Sequence, residues 1–239
     1  MQRISPLSWL GASLILSIGL LGLGYQGAQA LLAVKALERT VTVKGLAEQE
    51  VTATLAIWPI KFTLVDNDLN QLYRSLQEKN QQVEEFLLQQ GFNQAEISLS
   101  TPAIRDRQAQ DYGDPNATNY RFSASSTLTV YSERIEHVRA SQAKMLELAK
   151  LGIAINGADY DARPEFLFNQ LNDIKPAMVE AATRNAREVA EKFAADSASR
   201  LGKIKTASQG QFSIEDRDSN NPHIKKVRVV STVEYYLSD

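Results

Sequence analysis

The sequence predicts an α+β protein: two related units of antiparallel β-hairpins packed with long helices, preceded by one N-terminal transmembrane or signal helix. Three observations carry this. The chain opens on an uncharged apolar stretch, several short runs alternate apolar and polar residues, and three longer runs repeat apolar residues every three or four positions before breaking at a glycine. The expected division is a leader at 1–36 and a globular domain at 37–239, the latter in two halves of about 37–132 and 133–239.

In the leader no charged side chain occurs from Ile4 through Val34. A bilayer takes roughly 20 residues of helix, so the stretch is long enough to cross one. Trp9 and Tyr25 stand near the ends of its most apolar part, where amphipathic rings favour the interface. Ala28-Gln29-Ala30 has the small-x-small form of a cleavage site, yet the run exceeds the usual h-region, which favours an uncleaved anchor. Arg3 on one side and Lys35 and Arg39 on the other give little orientation bias.

Beyond the leader, 40–44 reads as a strand and Gly45 as the start of a turn. A second strand follows at 50–64, with Val51, Ala53, Leu55 and Ile57 on one face. Pro59 cannot donate to a ladder, so a bulge or an edge is expected there. Asp66 or Asn67 caps a helix carrying Leu69, Leu72, Tyr73, Leu76, Val83 and Leu87, and Gly91 ends it. Strands are expected at 97–108 and 120–131, the second with Phe122, Ala124, Leu128 and Val130 on one face, joined by a polar hairpin loop at 109–119.

The second half repeats the outline. A helix at 133–151 ends at Gly152, strands follow at 153–160 and 163–171, and a third helix runs from about Asp173 to Leu201, where Gly202 closes it. Pro176 falls in its first turn, where a missing N–H costs nothing. The last strands are 203–214 and 225–237, with Val227, Val229, Val233, Tyr235 and Leu237 on a common face. Sheets covered by helices on one face would leave a second apolar face seeking a partner, so a homo-oligomer is expected.

Composition narrows the chemistry. Lys+Arg 26 against Asp+Glu 28 gives a net charge of -2, without the basic field that nucleic acid requires. The absence of cysteine removes thiol nucleophiles, disulfide exchange and thiolate metal sites. His137 and His223 lie far apart with no metal-pair spacing, and His137, among charged neighbours on a helix, reads as a surface residue. Asp216, Asp218 and Asn220 imitate the first three ligands of a calcium loop. Counted from Asp216, however, the sixth and twelfth positions hold Asn221 and Val227 in place of glycine and glutamate, so a solvated Asx turn is expected. Glu180, Arg184, Arg187, Glu188, Glu191 and Lys192 read as a solvent face of the third helix, and one of Tyr235 and Tyr236 as core. No catalytic residue, cofactor-binding residue or metal ligand is assigned.

Several phrases in the chain resemble the SIMPL-domain family: TVTVKGLAEQEV at 40–51, FLFNQLNDIKPAMVEAATRNAREVAEKFA at 166–194, RLGKI at 200–204 and KKVRVVSTVEYYL at 225–237. That resemblance implies export, an α+β domain, ring-like or larger assemblies in at least some members, and no established catalytic residues or cofactor. With the leader, it places the domain on the periplasmic face of the bacterial inner membrane, or free in the periplasm if the leader is cleaved. The expected role is non-catalytic and self-assembling, with envelope protein partners and an indirect contribution to oxidative or envelope stress defence. The rival is a small-ligand binder or enzyme with a pocket between the two halves.

Overall fold

The computed structural model describes residues 6–36, 39–109, 120–156 and 162–238. It has an α+β architecture with two antiparallel sheets and helices packed beside them. The leader forms one helix, α1 (Pro6–Ala36). Its described side chains, from Leu16 to Leu31, are all exposed and include Gly19, Gly22, Gly24, Gln26, Gly27 and Gln29. Among the described residues no helix is long and apolar enough to cross a membrane.

The domain divides into two compact units, each assembled from separated stretches of chain. The halves 37–132 and 133–239 concern an internal resemblance along the chain, which is a separate matter from which residues touch. The first unit takes in 1–48, 175–213 and 228–239. Its sheet has the order β1 (Thr40–Thr52), β9 (Ile224–Ser238), β7 (Arg200–Gln209), with β8 (Ser213–Asp216) also pairing β9. Val227, Val229, Ser231, Val233 and Tyr235 of β9 are buried, the alternation expected of that strand, while Leu237 is half-buried. Glu234 ties the central strand to both neighbours: its carboxylate accepts from Lys205 Nζ at 3.1 Å, from Thr206 Oγ1 at 3.2 Å, and from Thr40 of β1. These hydrogen bonds, that of Thr40 foremost, hold its carboxyl below the ordinary range.

Helix α5 (Leu171–Asp196) packs on this sheet through Met178, Ala182, Ala186, Ala190 and Ala194, all buried and spaced four apart. Gly45 proves to lie inside β1, not at a turn. A Cβ there would stand 1.8 Å from the Ala182 carbonyl oxygen and 2.4 Å from the Ala186 nitrogen. The strand lacks a side chain at this point because helix backbone occupies the space. Asn185 Nδ2 donates to the Leu46 carbonyl at 2.8 Å, pinning the helix beside the same stretch.

The third helix also ends earlier than expected. It stops at Asp196, the chain turns through Ala198 at a φ of 52°, and Ser199 N donates back to the Ala194 carbonyl at 2.8 Å. Leu201 and Gly202 therefore belong to β7. Gly91 and Gly152, with φ of 88° and 72°, do close their helices as read from sequence.

The second unit, 49–174 with 214–227, holds a five-stranded sheet: β3 (Ile97–Leu99), β5 (Phe122–Ser132), β2 (Leu55–Asp66) and β6 (Glu165–Leu167) in that order, with β4 (Ala103–Asp106) also pairing β5. The break between β1 and β2 falls at Ala53–Thr54. There Thr54 N donates to the Leu167 carbonyl at 2.8 Å, and Thr54 Oγ1 lies 2.6 Å from Asn169 Oδ1. That break changes the phase, so β2 buries Ala56, Trp58, Ile60 and Phe62 and leaves Ile57, expected on the buried face, half-exposed. Pro59 finds its edge: β6 covers only residues Leu55 to Ile57 of β2.

Helix α2 (Leu69–Gln89) is capped by Asp68, whose Oδ1 accepts from Asn70 N at 2.7 Å and Gln71 N at 3.0 Å. The two residues expected to cap it are engaged elsewhere. Asp66 Oδ1 accepts from Asp68 N, and Asn67 Oδ1 accepts from Arg121 N. Leu69 and Tyr73, expected on the packed stripe, are exposed, and Phe86 and Asn80 are buried in their stead. The helix expected at 133–151 is two: α3 (Ile135–Gln142) and α4 (Leu146–Lys150). Ser141 Oγ donates to the His137 carbonyl at 2.9 Å, a back-bond that weakens the last turn of α3. Trp58, Phe62, Leu72, Leu76, Val83, Leu87, Leu128, Val130, Val138 and Leu148 form the core between the helices and the sheet.

The strand expected at 97–108 is split into β3 and β4, and that at 163–171 shrinks to β6 because α5 already begins at Leu171. Of the hairpin loop expected at 109–119, residues 110–119 lie outside the described residues, as do 157–160 of the strand expected at 153–160. From the rest of that strand, Ile155 bridges Phe62.

Substitution Gly45→Ala is expected to destabilise the domain by about 3 kcal/mol or more, since the intruding atom meets helix backbone and not a flexible side chain. Gly27→Ala, with nothing within 4 Å, should leave the thermal midpoint of the domain unchanged. Equal midpoints for both variants would refute the close approach of α5 to β1.

Candidate functional site

The sequence singled out two histidines, and the structure buries both more than expected. His137 on α3 is half-buried, its ring edge-on to Phe92 at 4.8 Å, with Nε2 buried and without a hydrogen-bond partner. His223 is 6% exposed and packs its ring 6.0 Å from Phe166. Burial pushes the His223 imidazole below its ordinary value, helped by the charge of Arg139 and opposed by Glu136. Its carbonyl accepts from Ala53 N at 2.7 Å, so the residue holds the β1–β2 break.

The loop before it is the Asx turn expected. Asp218 Oδ1 accepts from Asn220 N, Asn221 N and Asn221 Nδ2, each at 2.9 Å, and Oδ2 accepts from Arg217 Nε at 3.0 Å. Asp216 instead pairs with the buried Lys225 across the hairpin. The carboxylates that imitate a calcium loop are thus engaged by donors of the chain itself. Among the described residues no three His, Cys, Asp or Glu side chains gather where they would hold a metal ion.

The most perturbed carboxyl is one that sequence reading passed over. Glu96 follows α2 and accepts from Asn93 N at 2.9 Å, from Ser132 Oγ at 2.5 Å and from Arg134 Nη2 at 2.6 Å. Burial pushes the carboxyl up, but these donors together outweigh it and hold the group at about 2. Arg134 also donates to the Gly91 carbonyl at 3.1 Å and lies 5.4 Å from the Phe92 ring centre. The knot clamps the end of α2 to the end of β5 and the start of α3. An N-x-x-E spacing at Asn93 and Glu96 is the local signal that marks it in the sequence. A carboxylate ionised this firmly carries no proton to give near neutral pH.

The charged face of α5 is as read: Arg187 and Glu191 pair at 3.0 Å with both side chains more than half exposed. Tyr235 is core at 2% exposed and Tyr236 is half-buried.

The uncovered face of the five-stranded sheet differs from the apolar face expected. Register places Thr63 opposite Ser125, Lys61 opposite Thr127 and Pro59 opposite Thr129, so hydroxyls and a cation stand outward in its middle, between Val65 at one end and Ile57 and Tyr131 at the other, while the core residues point inward. At one end of this face lies a groove of about 220 Å³ lined by Lys61, Thr63, Arg105, Ser123, Ser125 and Asn156. A second groove, of about 270 Å³, is apolar and lies along α4 beside Met145, Leu146, Ala149 and Ile153.

The two titrating groups act in separate pH windows. Glu96, low in the fold and near 4.5 when unfolded, contributes on the order of 2 kcal/mol that is fully present above pH 4.5 and lost as pH falls toward 2. His223, depressed in the fold, costs nothing above about 6.5 and destabilises as pH drops below that value, where the unfolded chain takes up the proton. Denaturant midpoints measured from pH 8 to 2.5 should lose the lower slope in Glu96→Gln and the upper slope in His223→Asn. An unchanged profile in either variant would refute that assignment.

Compared with known proteins, residues 41–234 match the model of one family, described as SIMPL, protein of unknown function (DUF541). None of the curated proteins compared with the chain matches it.

Proposed function

Since the chain belongs to the SIMPL family, we propose that it is an exported, non-catalytic envelope protein that assembles with copies of itself through the free edge of β7. The observation carrying this is the state of that strand. Nine of its ten residues are exposed although it is hydrogen-bonded to β9. Its first part is guarded by the devices that keep edges from pairing: Lys203, Lys205, and register irregularities between Leu201 and Thr206. Its last part has none. Thr206, Ala207, Ser208 and Gln209 pair in unbroken register with Glu234, Val233, Thr232 and Ser231, carry no charge, and end a sheet. Such a segment offers unsatisfied backbone groups to another strand.

Export is supported by α1, where Leu16, Ile18, Leu20, Leu21, Leu23 and Leu31 are all more than 60% exposed with no polar side reserved for water. In this reading α1 delivers the domain to the periplasm and keeps it at the inner membrane or is removed at Ala30. The supposed part in oxidative or envelope stress is then indirect, through an assembly and its envelope partners. Glu96 and Asp218 support the non-catalytic reading because their carboxylates are spent on holding backbone in place.

Two measurements check it. A C-terminal reporter that functions only outside the cytoplasm should be active in the full chain; activity confined to a cytosolic reporter would remove the export reading. Light scattering of residues 37–239 should show an oligomer, and Ala207→Lys with Ser208→Lys should weaken it at least about tenfold while leaving the circular dichroism unchanged. A monomer at every concentration, or an oligomer indifferent to both charges, would remove β7 as the interface.

A further inference from the structure

The geometry points to a phosphate-type oxyanion site in the groove on the hydroxyl-rich face of the five-stranded sheet. Three strands bring its groups together by register alone. Arg105 of β4 stands opposite Ser123 of β5, Ala103 opposite Ser125, and Ser125 opposite Thr63 of β2. Ser125 alternates with the buried Ala124 and Ser126, and residues directly opposite in antiparallel strands share a face, so these side chains lie on the outward face. Ala103 is the small member, and its short side chain between longer neighbours makes the face concave there.

The chemistry of the lining selects the ligand. Asn156 N donates to the Lys61 carbonyl at 2.9 Å and its Nδ2 donates to Thr63 Oγ1 at 3.1 Å, forming one wall of the groove. Because Thr63 Oγ1 accepts that bond, its own hydroxyl proton is left to donate inward. Ser123 and Ser125 add two more hydroxyls and Arg105 adds a cation, with Lys61 also in the lining. Arg105 has no ion pair among the described residues, and its fork of donors lies on the groove side of the sheet. Among the described residues no carboxylate lines the groove. A neighbour with several acceptor oxygens and negative charge therefore matches it, whereas a cation or an apolar group does not. At about 220 Å³ the groove is smaller than the roughly 300–1,000 Å³ of sites that enclose a whole drug-sized molecule, so it takes one oxyanion group of a larger ligand or a free ion.

The shared chemistry is a tetrahedral phosphate, and its source is either a monoester or free phosphate, or the diester of a phospholipid headgroup. The full chain, purified in a neutral detergent at low ionic strength, is titrated into inorganic phosphate and, separately, into dimethyl phosphate, and binding is read from the phosphorus NMR line width. Saturable broadening with inorganic phosphate is expected, weakening at least tenfold in Arg105→Gln, about threefold in the double variant Ser123→Ala with Ser125→Ala, and progressively with added sodium chloride. Arg105→Lys should recover part of the affinity, and Arg184→Gln on α5 should change nothing. Tighter binding of inorganic phosphate assigns the free ion or monoester, and equal or tighter binding of dimethyl phosphate assigns the headgroup diester. Absence of saturable broadening with both probes, or equal affinity in wild type and Arg105→Gln, would overturn the site. None of these residues belongs to β7, so loss of assembly and loss of binding are read out independently.

Discussion

The first unit depends on an approach of helix to strand so close that one residue position must carry no side chain. Ordinary packing between a helix and a sheet is filled by branched and aromatic residues. At Gly45 the filler is the helix backbone itself, with the Ala182 carbonyl and Ala186 nitrogen where a Cβ would be. This requirement propagates along α5. Only methyl groups fit between the helix and β1, hence alanine at 182, 186, 190 and 194. The resulting core, Val43, Ala186, Ala190, Val233 and Tyr235, is small in volume, so its stability comes from contact density more than from area removed from water.

That constraint also explains what could be read from the sequence and what could not. Gly45 sits between two stretches of strand pattern, and a glycine in such a place is ordinarily a turn. The opposing clue was phase: Val41, Val43, Gly45 and Ala47 continue one alternation without a break, which a turn would have reset. The alanine stripe was visible as helical periodicity, yet nothing local says that a distant strand needs it. Gly202 misled in the same manner, since its lack of a side chain makes room for the Tyr236 backbone in the neighbouring strand and not for a helix terminus. Where the cause was local, as for the positive φ at Gly91 and Gly152, the glycine rule held.

The polar groups divide along the same line. The Asx turn at Asp218 was legible because its donors lie two and three residues away. Glu96 was not, because Ser132 and Arg134 reach it from 36 and 38 residues further on. The groove is still less legible. Lys61, Arg105 and Ser123 become neighbours only when β2, β5 and β4 take their register, and each residue alone is an ordinary strand residue on a solvent-facing side.

A difference in chemistry between the units follows from these packings. In the second unit, large side chains such as Trp58, Phe62 and Leu87 fill one face of the sheet, which frees the other face from contributing to the core. Residues there are then chosen without regard to burial, and in the groove they turn out as hydroxyls, an amide and cationic side chains. A surface released from structural duty yet held flat by a rigid core suits recognition, since its donors are positioned before a ligand arrives and little ordering entropy remains to be lost. The groups that are strongly perturbed, by contrast, sit where chain segments meet, and their hydrogen bonds are all consumed in joining them. Fixed donors on an open face and titrating groups locked in joints are the two features on which the proposed binding at the surface rests.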